Sequence, residues 1–143
     1  MYHVLLPVDS DVERSHAAAD VVTGLPAAET EVSVTILNVQ PEVELSSGDG
    51  SHVSSEDWWD PDDVPESVTA TREYLESEGI DVEVRREHED PARCIIRVSE
   101  EAEADLIVMA GRVQSPVGKV LFGSVTQSVL LSSSVPVTVV GSD

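Results

Sequence analysis

Short, nearly unbroken apolar runs return five times along this chain, and between them the apolar residues fall at helical spacing. The runs are YHVLLPV (2–8), EVSVTILNV (31–39), IDVEVRRE (80–87), DLIVMA (105–110) and VPVTVV (135–140). YHVLLPV and DLIVMA lack the polar alternation of a strand with one wet face, so they suit strands covered on both sides of a parallel sheet. IDVEVRRE alternates and ends in charge, which places it at an edge.

Four helices are expected between these strands. Ser10, Asp11, Val12 and Glu13 spell a capping box that opens a helix running to about residue 24, with Ala17, Ala18, Val21 and Val22 inward. A second helix covers about 63 to 79, where Val64, Val68, Thr71 and Leu75 share one face. Asp90 followed by Pro91 at the first helical position starts the third, with Ile95, Ile96 and Val98 apolar. Ser124 to Gln127 repeats the capping-box spelling and opens the last, through Val129, Leu130 and Leu131. Strand and helix thus alternate four times before a final strand. That order predicts an α/β fold, a single doubly wound (Rossmann-like) domain over 1–143 with right-handed crossovers. One segment breaks the pattern: residues 40–63, rich in serine, glycine and acids, are too long for a plain connection.

Charge narrows the partners. With 28 acidic against 8 basic side chains the formal charge is -20, and Lys119 is the only lysine. Nucleic-acid backbones and anionic membranes would meet a repelling surface. Dense carboxylate with so little lysine fits a halophilic setting, where screening over about 3 Å at 1 M salt removes most self-repulsion. The single Cys94 lies on an apolar helical face and reads as core, and neither a signal peptide nor a membrane span is expected, so the reading is cytoplasmic.

In open α/β sheets ligands bind beyond the carboxyl ends of the strands, where the strand order reverses. If the first and fourth strands flank that point, Pro7 to Ser10 and the segment GRVQSPVGKVLFGSVTQ (111–127) meet there. From Leu106 to Ser142 there is no acid, while Arg112 and Lys119 fall inside this segment with Gly111, Gly118 and Gly123. Buried strands explain part of that absence. An anion explains the rest: backbone N–H groups of Ser124, Val125 and Thr126 at a helix start would face it, aided by the helix dipole. Ser124 capping its own helix is the competing explanation. The spacing is not that of a Walker A loop, since Val120 stands where a hydroxyl would be needed.

LLPVDS ending the first strand, DPA before EADLIVMAGR, and FGSVTQSVL before VPVTVV together resemble the universal stress protein family over nearly the whole chain. The resemblance implies a five-stranded parallel sheet of order 3-2-1-4-5 with helices on both faces, and an ATP site at the crevice. It would give Asp9 the ribose or, through water, a magnesium ion. Pro7, Val8 and Val39 would wall the adenine, Met109 would form the floor, and Gly123, Ser124, Val125 and Thr126 would take the phosphates. Asp9 reads equally as an acid favoured beside a helix N-terminus, worth about 0.3 to 1 kcal/mol without any ligand. Nucleotide-binding members carry Gly, two residues, Gly, nine residues, then Gly-Ser or Gly-Thr. Here Gln114 follows Gly111 by three and eleven residues separate Gly111 from Gly123. Two functions are therefore expected: an adenine-nucleotide (ATP) binding regulatory or stress-response protein, at most a slow ATPase, or a dimeric interaction module that has lost nucleotide binding.

The last strand, at a sheet edge, and the resemblance together imply a homodimer paired along residues 135–140. Trp58 and Trp59 stand in the acidic segment, either covering the sheet rim or anchoring a protein partner. His3, His16, His52 and His88 have no metal spacing, and Asp9 to Glu13 lack the glycine of a calcium loop. No strong general base is apparent, so no catalytic residue is assigned.

Overall fold

The computed structural model describes residues 1–40, 45–46, 52–53, 64–112 and 123–142. Five strands form one parallel sheet: β1 (Tyr2–Pro7), β2 (Val32–Gln40), β5 (Asp81–His88), β6 (Leu106–Arg112) and β7 (Val137–Ser142). Their spatial order is β5-β2-β1-β6-β7, which counts as 3-2-1-4-5 in chain order. All four pairings are parallel, with Val4 opposite both Val34 and Leu106, and Ile107 opposite Val137. The alternating strand therefore lies at one edge and the last strand at the other. Two short strands, β3 (Leu45–Ser46) and β4 (His52–Val53), pair antiparallel inside the acidic segment, a hairpin that composition alone did not suggest.

Helices cover both faces, as period-two alternation along buried strands requires. Val4, Leu6, Val34, Ile36 and Val108 meet Ala18 and Val22 of α1 (Val12–Thr23) and Val68 and Leu75 of α3 (Glu66–Ser77). Leu5, Leu37, Ile107 and Met109 meet Cys94, Ile95 and Val98 of α4 (Pro91–Glu101) and Val129 of α5 (Ser124–Ser132). A one-turn helix, α2 (Ala28–Glu31), sits before β2 and was not expected. Leu131, at the end of the apolar spelling of α5, is 86% exposed, so the buried side of that helix is narrow.

Helix ends follow local chemistry closely. Asp90 caps α4, its carboxylate accepting the Arg93 N–H at 3.1 Å, with Pro91 next as expected. At α1 the cap is Asp11 rather than Ser10: its carboxylate accepts the Arg14 N–H at 2.9 Å, and a charged acceptor outcompetes a hydroxyl near the dipole. After α3, Gly79 takes φ 81°, and Ile80 N–H returns to the Leu75 carbonyl at 3.1 Å while Gly79 N–H reaches Glu76 at 3.0 Å. That pair of bonds is a Schellman motif, and the left-handed residue in it favours glycine.

His3 serves the sheet, with ring nitrogens 2.7 Å from the Ser33 hydroxyl and 2.9 Å from that of Thr35. Burial pushes the Cys94 thiol up to about 12, so at neutral pH it stays protonated and acts as core.

Edge strand β5 is tied to α4 by ions. Arg85 lies 2.7 Å from Glu87 and 2.6 Å from Glu101, while Arg97 lies 2.8 Å from both Glu89 and Glu101. Hydrogen bonds from Arg85, then Arg97, hold the Glu101 carboxyl below its usual range. Its contribution to stability is therefore complete above the unfolded-state pKa and lost as pH falls through the folded one. Such exposed pairs contribute little each and weaken in salt. Repulsion in a chain of charge -20 weakens in salt as well, and it acts over the whole surface. Repulsion wins, and the thermal midpoint is expected to rise between 0.1 and 2 M KCl. A falling midpoint in a calorimetric salt series would mean that the β5–α4 pairs dominate.

Candidate functional site

Because β1 is central, with β2 on one side and β6 on the other, the chain reverses its direction of winding between β1 and β6. Beyond the carboxyl ends of these strands lies a cleft of about 620 Å³, within the roughly 300–1,000 Å³ of small-molecule sites. Its apolar lining comes from Pro7 at the end of β1 and Val8 just beyond it, Leu37 and Val39 of β2, Met109 and Ala110 of β6, and Ile95 of α4. Strand alternation puts these residues there: Leu37, Val39 and Met109 belong to the core on the α4 and α5 side and emerge at the strand ends.

One polar group stands in this apolar wall. Asn38 also lines the cleft and is 4% exposed; its Nδ2 donates to the Val8 carbonyl at 3.0 Å, while its Oδ1 has no partner among the described residues. A buried acceptor left in that state costs about 1 to 3 kcal/mol.

Opposite in character is the start of α5. The first N–H groups of a helix have no partner within it. At α1 and α4 an aspartate supplies one, but at α5, as at α3, the N-cap residue, here Gly123, supplies no side-chain hydrogen bond among the described residues. Ser124, expected to cap, is the first helical residue instead, because the Gly123 carbonyl already accepts the Gln127 N–H at 3.1 Å. Gly123 has φ -62°, ψ 164°, a conformation open to any residue, and a β-carbon there would have no atom within 4 Å among the described residues. The fold thus makes no demand for glycine here, neither for positive φ nor for space. Gly123, Ser124, Val125 and Thr126 all line the cleft.

Across the cleft, Asp9 is heavily engaged. Its Oδ1 accepts the Asp11 N–H at 2.8 Å, its Oδ2 accepts from Arg14 Nη2 at 2.9 Å, and its carbonyl accepts from the Ser67 hydroxyl. A magnesium ion reached through water would share that carboxylate with Arg14. No cluster of three or more metal-ligating side chains occurs among the described residues.

Of the residues expected at the site, Pro7, Val8, Asp9, Val39, Met109 and Gly123 to Thr126 come together in the cleft. Gly111 does not. Expected at the loop's head, it is buried in β6, where it pairs with Gly141, since strand pairing continues through Arg112 and Ser142. Gly118, Lys119, Trp58 and Trp59 lie outside the described residues, as does the side chain of Arg112. Sequence reasoning passed over Asn38, Gln40 and Arg14, all of which line the cleft. Among the described residues no helix is long and apolar enough to cross a membrane.

Comparison with known proteins agrees with this architecture. A sequence profile described as the Universal stress protein family matches residues 1–141. No curated protein sequence matches the chain. A universal stress protein from Archaeoglobus fulgidus is 23% identical, the match covering 97% of this chain and 98% of that one, with a TM-score of 0.74. Another structure from that organism, in complex with dAMP, is 19% identical with coverage of 97% on both sides and a TM-score of 0.68. A family protein from Arabidopsis thaliana with AMP bound is 14% identical, covering 100% of this chain and 93% of its own, with a TM-score of 0.64. At these identities the structures speak for the fold, and the profile match over almost the full length speaks for descent: the chain belongs to the universal stress protein family.

Proposed function

We propose that this protein binds an adenine nucleotide, ATP above all, in the cleft between β1 and β6 and serves as a regulatory or stress-response protein whose hydrolysis of ATP is slow or absent. The observation that carries this reading is the uncapped N-terminus of α5 set in the same cleft as an apolar wall. Phosphates suit the first and an adenine ring suits the second. Relatives with dAMP and AMP bound lend weight to the base. Magnesium would arrive with the triphosphate.

Equilibrium dialysis against labelled ATP, with magnesium in molar KCl, tests the proposal. One saturable site per chain, competed by AMP and not by GTP, is the expected result. No binding up to millimolar ATP would leave the interaction module as the better account. Two copies would pair along β7, where Val137, Val139 and Val140 are only partly buried at the sheet edge. Light scattering in molar KCl should return twice the chain mass of 15.3 kDa, and a monomeric mass would overturn the pairing.

A further inference from the structure

We infer that Arg14 is the cleft's cationic contact for the nucleotide's phosphates, and that Asp9 and Asp11 act on the ligand only through Arg14, as positioning residues. The inference rests on the nucleotide reading and goes beyond it by assigning Arg14 a contact and Asp9 a different task from binding ribose or metal.

Charge within the cleft is the starting point. The protein as a whole repels anions, yet the described lining includes two charged side chains, Asp9 and Arg14, of opposite sign. Arg14 projects from the first turn of α1, and its side chain is 19% exposed. Its guanidinium is held from two sides: Nη2 lies 2.9 Å from Asp9 Oδ2, and Nη1 lies 3.4 Å from Asp11 Oδ2. Asp11 also caps the helix that carries Arg14, accepting its N–H at 2.9 Å. Asp9 is itself fixed, by the Asp11 N–H and by Ser67 at the start of α3.

A guanidinium has five N–H donors in a rigid plane. Two carboxylates on its Nη groups set the orientation of that plane and leave donors for an oxyanion. Both Asp9 oxygens already accept hydrogen bonds, one from the Asp11 N–H and one from Arg14, so the carboxylate stands as the anchor of Arg14 before any ligand arrives. Arg14 is long enough and well enough buried to be ordered before ligand arrives, so little side-chain entropy remains to be lost on binding.

The test compares adenosine, AMP, ADP and ATP binding to wild type and to Arg14→Gln, Arg14→Lys and Asp9→Asn, all at one KCl concentration. Arg14→Gln should weaken ATP by about 10- to 100-fold, AMP by less, and adenosine by no more than about twofold. Arg14→Lys should recover part of the ATP loss, since the charge returns without the planar fork. Asp9→Asn separates positioning from bulk charge: it removes a negative charge from the site, yet should weaken ATP, because Arg14 loses its anchor. Tighter ATP binding by Asp9→Asn would overturn the positioning role. Loss of adenosine binding in the same variant would instead make Asp9 a ribose contact and overturn the inference. Equal losses across all four ligands in Arg14→Gln, or no loss at all, would overturn it too. If that variant does not fold, Arg14→Lys and Asp9→Asn still decide, through the ratio of ATP to adenosine affinity. Wild type that binds no nucleotide overturns the nucleotide reading and this inference with it, whereas wild type that binds ATP beside an unaffected Arg14→Gln overturns this inference alone.

Discussion

Gly123→Asp is expected to stabilise the protein slightly and to abolish ATP binding. The fold tolerates a side chain there, since the backbone sits at φ -62°, ψ 164° and a β-carbon meets nothing within 4 Å among the described residues. An aspartate at an N-cap accepts a hydrogen bond from the second or third helical N–H and complements the dipole, together worth about 0.5 kcal/mol over glycine. That same carboxylate would occupy the place of a phosphate on Val125 and Thr126 and repel whatever remained nearby. A charge-assisted hydrogen bond is worth about 1.5 to 3 kcal/mol, so losing even one and adding repulsion should weaken ATP at least about 100-fold. Dialysis alongside a denaturant titration checks both halves. Retained affinity in the stabilised variant would mean that phosphates do not sit on α5.

The second large effect concerns the sheet that carries the cleft. Leu5→Ala should cost about 2 to 5 kcal/mol, because Leu5 is fully buried in the central strand against Leu37, Ile107 and Val129, and truncation leaves a cavity. Domains of this kind hold only about 5 to 15 kcal/mol in total, so the loss is a large share. Leu5 does not line the cleft, and affinity per folded molecule should be unchanged. A shift in the urea midpoint at fixed KCl, with an unaltered slope, reports the cost. A change below about 1 kcal/mol would mean that the core on the α4 and α5 side is not packed as described.

The two predictions differ in how openly the sequence announced them. Leu5 was legible: YHVLLPV is apolar on both faces, and only a central strand needs that. The strand set and the edge position of IDVEVRRE followed from the same alternation, and Asp90-Pro91 marked α4 to the residue. The starts of α1 and α5 were off by one, because Asp11 competes with Ser10 and Gly123 with Ser124 for a cap that spelling alone does not assign, and α3 begins at Glu66 rather than near 63 because Pro65 takes the N-cap position. Arg14 was the costlier omission. Along the chain it is an ordinary polar residue in a helix, and it reaches the cleft only once β1 turns into α1 and folds that first turn back over the strand ends. The clue available was its spacing from Asp9 and Asp11, five and three residues ahead, in a chain with 8 bases. Gly111 misled for the opposite reason: a glycine before an irregular segment read as loop, whereas pairing with Gly141 extends β6 through it.

The most direct test of the central claim is an ATP titration of the isotopically labelled protein, following backbone amide chemical shifts in molar KCl. Saturable shifts at Ser124, Val125 and Thr126 together with Val8 and Val39 are the predicted result, because these amides lie at the uncapped helix end and the apolar wall. Unchanged spectra at millimolar ATP, or shifts confined to residues remote from that cleft, would contradict it.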